Sequence, residues 1–453
     1  MNTASMLALA AAIGLSGPAL AQQAQTAQPG PSPSVPAGQP GTGVIFFHPD
    51  GTGLNHWNAL RMLDKGPDGE LHWDKLPAMA VYAGHMKDAL TGTSHGGATV
   101  HAYGVKVQAD SFGLDGRSEI TAASGQKASV AEEAMASGRA VGLIQTGHIA
   151  EPGTGAFVAS VERRGDTDGI AKQVLASGAP VIMAGGERFL LPEGTQGRHG
   201  AGGRKDGLNL IEQARQAGYA VVFNRDELLA LDLARTEKVL GVFAHGHTFN
   251  DQPEEKNRAE NKPHYVPGAP TIAEMGRAAL AILSRDPDGF LLVAEEEGTD
   301  NMGNNNNAPG QFEALRRADA AVGVFREFVA ANPRTLLMMA ADSDGGALQV
   351  IGPRAGDEKI AAGKNLPERD ENGSPLDGVE GTGTQAFVSA PDRNGQRHAF
   401  AVSWGARDDT SGAILVRAEG HRSDLVRGKM DNTDVYRVMY EALFGRAPSN
   451  GRS

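Results

Sequence analysis

Val44-Ile45-Phe46-Phe47-His48-Pro49-Asp50-Gly51-Thr52-Gly53 reads as a buried strand that stops at a turn carrying a carboxylate. Four consecutive apolar residues, β-branched and aromatic, are too few for a helix and suit a strand covered on both faces. Proline and the two glycines end it at once. Leu54 to Leu63 then has helical apolar spacing, so the chain opens as strand, turn, helix. The same alternation recurs downstream. Val141 to Ile144, Val181 to Ala184, Val239 to Phe243, Phe290 to Val293, Thr335 to Met339 and Ala413 to Val416 are further strand candidates. Thr271 to Leu283 and Gln311 to Ala330 have the spacing of amphipathic helices. Such alternation predicts an α/β fold, a mostly parallel sheet covered by helices.

Composition narrows what such a chain does. Its 453 residues, 40% hydrophobic, suffice for one large α/β domain. A formal net charge of −12 repels nucleic-acid phosphates and attracts cations, so no nucleic-acid partner is expected. There is no Cys, which excludes thiolate metal sites and a cysteine nucleophile. The apolar run from Met6 to Ala21 ends in Ala19-Leu20-Ala21 and is short for a bilayer span. It predicts a signal peptide over residues 1–21, a periplasmic or secreted location, and no stable membrane insertion. Residues 22–42, rich in Gln and Pro, predict an extended linker. Residues 43–448 then form one domain, with polar insertions near 245–269 and 353–396 and no core of their own.

In open α/β sheets ligands bind beyond the carboxyl ends of the strands. Acidic residues gather at four such places: Asp50, the Glu295-Glu296-Glu297-Gly298-Thr299-Asp300 run, Asp342-Ser343-Asp344, and Asp408-Asp409. One Asp before a Gly is ordinarily a turn or a cap. Several converging carboxylates repel one another unless cations neutralise them, so the set points to a polynuclear metal site. Thr91 to Lys106 is a second signal, small residues leading into a helix. A hydroxyl at that N-terminus, Thr93 or Ser94, meets free backbone N–H groups and the positive end of the helix dipole. This suits either a simple cap or a nucleophile that must hold a phosphoryl group.

Taken in order, these segments resemble the alkaline phosphatase superfamily. The likeness runs from about Val44 to Gly445 and includes Asp50-Gly51-x-Gly53, the Ser94 segment ending Gly104-Val105-Lys106, and Gly153 to Val161 followed by Arg163-Arg164. It implies a large mixed, mostly parallel central sheet sandwiched by helices, with loop insertions. It also implies a secreted, metal-dependent phosphomonoesterase acting through a phosphoserine on Ser94. Asp50 would bridge two metals, Glu295 would hold magnesium, Asp300 the second metal and Asp342 the first. Arg164 would clamp phosphate with its planar fork, Arg163 being the competitor, and Thr154 or Glu151 would complete the magnesium site.

Where the family has three zinc-binding histidines, this chain has Asn304, Ser343 and Asp409. His48, His95, His101, His245 and His247 lack the matching spacing and are expected at the surface or behind the ligands. A set of oxygen donors suits two to three divalent cations, with Ca²⁺, Mg²⁺ or Mn²⁺ favoured over Zn²⁺. The expected partner is a small phosphate ester, and a homodimer is left open. A phosphodiesterase of the same superfamily, or a non-catalytic metal- or phosphate-binding protein, are the alternatives.

Overall fold

A computed structural model describes residues 41–353 and 360–450 of the chain. Strand β1 is Thr42–Pro49, and its side chains alternate between two apolar clusters, Val44 and Phe46 in one, Ile45 and Phe47 in the other. A two-residue period does this when both sheet faces are covered. All four residues are fully buried, and truncating Phe46 to Ala should cost about 3–5 kcal/mol.

The other strands, in chain order, are β2 Ala78–Ala83, β3 Ala140–His148, β4 Val181–Gly185, β5 Ala220–Val222, β6 Val239–Val242, β7 Gly289–Glu296 and β8 Thr335–Met339. They continue with β9 Asp344–Gly345, β10 Leu348–Ile351, β11 Phe387–Val388, β12 Ala399–Trp404, β13 Asp409–Thr410, β14 Leu415–Gly420 and β15 Arg427–Asp431. Ten of them make one sheet in the order β15-β2-β14-β8-β1-β7-β3-β4-β6-β5. Only β14 is antiparallel to its neighbours, β2 and β8, so the sheet is mixed and mostly parallel, as expected. Helices Ser94–Tyr103, Val130–Ala136, Thr167–Ala176 and Asn432–Phe444 cover the face of Val44 and Phe46. Helices Leu54–Lys65, Ile272–Leu283 and Ala308–Ala331 cover the other. β1 lies between β7 and β8, with His48 level with Glu295 and Phe47 level with Met339, so three strand ends open together.

The structure differs from the sequence reading in three places. The sheet starts at Thr42, inside the expected linker, whose residues 22–40 lie outside the described residues, as does the expected signal peptide. β2 (Ala78-Met79-Ala80-Val81-Tyr82-Ala83) and β5 (Ala220-Val221-Val222) are short apolar runs that the sequence reading passed over, with Met79 and Val81 exposed in the fold, whereas the edge strand β15 (Arg427-Gly428-Lys429-Met430-Asp431) has no apolar run to read. The 353–396 stretch, of which 354–359 lie outside the described residues, builds a small core after all. Ile360, Leu366, Leu376 and Ala386 pack against Ala399 and Ala401 of β12, because a few spaced apolar residues suffice to cover a three-stranded sheet. Residues 245–269 carry the helix Glu254–Ala259 and are closed by pairing of Phe249 with Tyr265. Among the described residues no helix is long and apolar enough to cross a membrane.

Candidate active site

At the carboxyl ends of β1, β7 and β8 lie Asp50, Glu295 with Glu297, and Asp342, all buried. Donor oxygens of Asp50, Glu295 and Glu297 come within 4.8 Å of one another, as do the donor atoms of His48, Asp50 and Asp342. Asp50 Oδ2, both oxygens of Glu295, Glu297 Oε2, both oxygens of Asp342 and Ser343 Oγ have no hydrogen-bond partner among the described residues. Buried charged groups in a stable fold are paired or hold cations. The donor set therefore fits divalent ions. Burial and mutual repulsion push Asp342 and Glu297 well above the usual carboxylate range, and burial, with Asp50 and Glu151 adding to it, pushes Glu295 up to about 8. Asp50 goes the other way: burial alone would raise it, but the charge and hydrogen bond of His48 hold it below its ordinary value.

Of the two places expected for His48, the surface or behind the ligands, its burial excludes the surface. His48 is fully buried on the Phe46 side of β1, with Nδ1 2.7 Å from the Ala340 carbonyl and Nε2 3.0 Å from Asp50 Oδ1 and 3.7 Å from Asp342 Oδ1. An Nδ1–H donated to the carbonyl points Nε2 at the two carboxylates. The site thus contains an imidazole, contributed by the strand and not by the residue after Asp342. His101 packs edge-on to His48 and bonds the Tyr82 hydroxyl at 2.8 Å, His95 pairs with Asp110, and His245 is exposed on the Ala201 carbonyl.

Ser94 is the first residue of the helix Ser94–Tyr103, and Thr93 is its cap: the Thr93 hydroxyl accepts from Gly96 N at 3.1 Å and donates to the Ala109 carbonyl at 2.7 Å. The cap is therefore not Ser94, which is left at the mouth of the helix. Gly97, one turn on, admits Asp342 so closely that a Cβ there would lie 2.5 Å from the Asp342 Cβ, which brings the helix start against the carboxylates. Arg164 donates to Glu151 Oε2 at 2.7 Å and feels the charges of Glu297 and Asp50, while Arg163 is exposed. Of the two arginines, Arg164 faces the cluster.

The remaining candidates differ in orientation from what the resemblance implies. Asn304 Nδ2 donates to both oxygens of Asp300 and to Asp409 Oδ1, each at 3.0 Å, and its Oδ1 accepts from Gly346 N at 2.9 Å. Its amide nitrogen, not its oxygen, faces the carboxylates, because Gly346 needs the acceptor. Thr154 Oγ1 accepts from Gln145 Nε2 at 2.6 Å. The contact with Glu295 comes instead from Gly153, where a Cβ would lie 1.7 Å from Glu295 Oε1. Glu151 Oε1 is taken by His148 and His247, each Nε2 at 2.9 Å. Glu296, between the two inward glutamates, turns to the other face of the sheet and pairs with Arg317 at 2.9 Å.

Carboxylates from neighbouring parallel strands, buried beside a helix N-terminus, define an α/β protein with a polynuclear cation centre. The sequence model described as Alkaline phosphatase matches residues 42–444, and the chain belongs to that family. It is 28% identical over 318 residues to the tissue-nonspecific alkaline phosphatase isozyme of Rattus norvegicus, covering 62% of this chain and 59% of that protein, so it spans under two thirds of the relative. Similarity to the alkaline phosphatase of Escherichia fergusonii extends over 450 residues at 25% identity, 89% of this chain and 86% of that one. Among solved structures, the alkaline phosphatase of Thermus thermophilus superposes with a TM-score of 0.69 at 23% identity, over 92% of this chain and 93% of that chain. A mutant TAB5 alkaline phosphatase with magnesium bound in its M3 site superposes at 0.64 and 17% identity, over 90% and 99%. These superpositions establish the fold.

Proposed function

We propose that the protein is a metal-dependent phosphomonoesterase that works through a phosphoserine on Ser94. The observation that carries this reading is the set of buried oxygens of Asp50, Glu295, Glu297 and Asp342 without a hydrogen-bond partner among the described residues, with Asp342 packed against Gly97 in the first turn of the Ser94 helix. Ser94 Oγ loses its proton to solvent and attacks phosphorus, the bond from phosphorus to the ester oxygen breaks, and the alcohol leaves with a proton from solvent. Water then attacks the phosphoserine, releasing inorganic phosphate and restoring the hydroxyl. Arg164 holds two phosphate oxygens, and Glu151, bonded to it, fixes where the guanidinium points. Asp50 shared between two ligand groups, with Glu295 and Glu297 on one side and His48 and Asp342 on the other, would hold two cations. Asp300 and Asp409, gathered by the Asn304 amide, would hold a further one.

When bound, these ions supply Lewis acidity at the attacking and leaving oxygens. Carboxylates and the Ser343 hydroxyl outnumber the one imidazole, His48, so calcium, magnesium or manganese suits the set better than zinc. A secreted or periplasmic location, from the expected signal peptide, belongs to the same proposal. Phosphate release from a chromogenic monoester and from a diester, each with calcium, magnesium, manganese and zinc, tests the reading. Faster monoester turnover with a hard cation supports it. Faster diester turnover replaces it with a phosphodiesterase, and no turnover with any metal leaves a binding protein.

A further inference from the structure

A second ligand group stands outside the carboxylate cluster. His148 ends β3, Glu151 caps the short helix Pro152–Gly155 without spending its side chain on the cap, and His247 follows β6. Their donor atoms lie within 4.8 Å of one another, with both Nε2 atoms 2.9 Å from the same oxygen, Glu151 Oε1. The rings are fixed by packing: they stack on each other at 4.8 Å, Phe189 meets His148 edge-on at 4.5 Å, and Phe249 stacks on His247 at 4.9 Å. Behind His247, Asp251 Oδ2 is 3.9 Å from Nδ1. Glu151 is buried, whereas the histidine side chains are 17% and 16% exposed, so an ion has a route from solvent.

We propose that His148, Glu151 and His247 form a binding site for a transition-metal ion of the zinc or cobalt type. Two imidazoles and one carboxylate are the donors such ions prefer, in contrast to the oxygen donors around Asp50. Binding replaces two N–H···O contacts with two nitrogen–metal bonds and moves each imidazole proton from Nε2 to Nδ1. An ion on Glu151 Oε1 leaves Oε2 on Arg164, so it anchors the carboxylate that positions the guanidinium. This last link rests on the proposed function; the metal site itself does not.

The test uses the full chain, stripped with a chelator, saturated with magnesium and then titrated with zinc, with bound metal measured by mass spectrometry. The wild type should retain one more zinc equivalent than the His148→Gln/His247→Gln double variant, and His245→Gln should match the wild type. X-ray absorption of the zinc in the wild type should show two imidazoles. Equal zinc in wild type and double variant, or fewer than two imidazoles at the zinc of the wild type, overturns the proposal, and the second readout stands even where the double variant does not fold. In the zinc-loaded enzyme, losing this ion should raise the inhibition constant for inorganic phosphate at least about fivefold. If zinc binds as described and no ester is hydrolysed, the phosphatase reading fails and the metal site stands. An unchanged inhibition constant overturns the link to Arg164.

Discussion

Ser94 and Thr93 are neighbours with divided tasks, and the division is testable. Thr93 spends its hydroxyl on the cap, so Thr93→Ala should cost about 1 kcal/mol of stability and little turnover. Ser94→Ala should lower turnover by a factor of about 10³ or more with an unchanged melting temperature. Equal losses at the two positions, read from steady-state rates, would mean that the nucleophile has been misplaced. Arg164→Ala should weaken inhibition by inorganic phosphate together with turnover, because a clamp holds ground state and transition state alike. Arg163→Ala, at an exposed position, is the control. At this scale Asp50, Glu295 and Asp342 were legible as a buried carboxylate set because each closely follows an apolar run. The place of His48 was not read, although the period of two marks it: Val44, Phe46 and His48 share a face, which ends beside Asp50. The same period turns Glu295 and Glu297 inward and Glu296 outward. The orientation of Asn304 was not legible, since Gly346 N–H, which claims its oxygen, comes from 42 residues away.

Elements that touch the site are held by buried polar contacts, and two of these set measurable stabilities. Arg317, on helix Ala308–Ala331, makes a two-point contact with Glu296 of β7 and lies over the Tyr265 ring at 4.1 Å. Arg317→Ala leaves a buried carboxylate unpaired and should destabilise the protein by about 3–5 kcal/mol in denaturant unfolding. His56, on helix Leu54–Lys65, accepts from Gly53 N at its Nδ1 and donates from Nε2 to the Gly345 carbonyl, an arrangement that only the neutral ring can make. Burial lowers its pKa to about 4, with the two backbone contacts opposing. The unfolded chain therefore takes up a proton between about pH 6.5 and 4 that the fold refuses. His56 thus contributes stability above pH 6.5 that is lost as pH falls toward 4, up to about 3 kcal/mol. Melting temperatures across this range should fall for the wild type and stay flatter for His56→Gln; parallel curves would contradict it. Helices with strong apolar spacing and the inner strands were legible, whereas the edge strand β15 was not, because it has no apolar run, and β2 and β5 were passed over although their short runs are apolar.

For the whole molecule, the ten-stranded sheet does two things at once. Its apolar clusters on both faces hold the strands in register, and its central strands β1, β7 and β8 end where charges must be buried. Cations that bind only the folded state then add to stability, by about 2.7 kcal/mol at a hundredfold excess over the dissociation constant. Chelation should lower the melting temperature by about 5 °C or more and broaden the transition, and calcium, magnesium or manganese should restore it better than zinc does while the His148–Glu151–His247 group is blocked by substitution. The family resemblance carried the topology, which the alternation of runs had already restricted to a covered parallel sheet. The proposed active site stands or falls on where phosphate goes during turnover. Acid quenching during monoester hydrolysis, followed by peptide mass mapping, should find phosphate on the peptide containing Ser94 and none after Ser94→Ala. Phosphate on any other residue, or full turnover by the Ser94→Ala protein, would contradict the account.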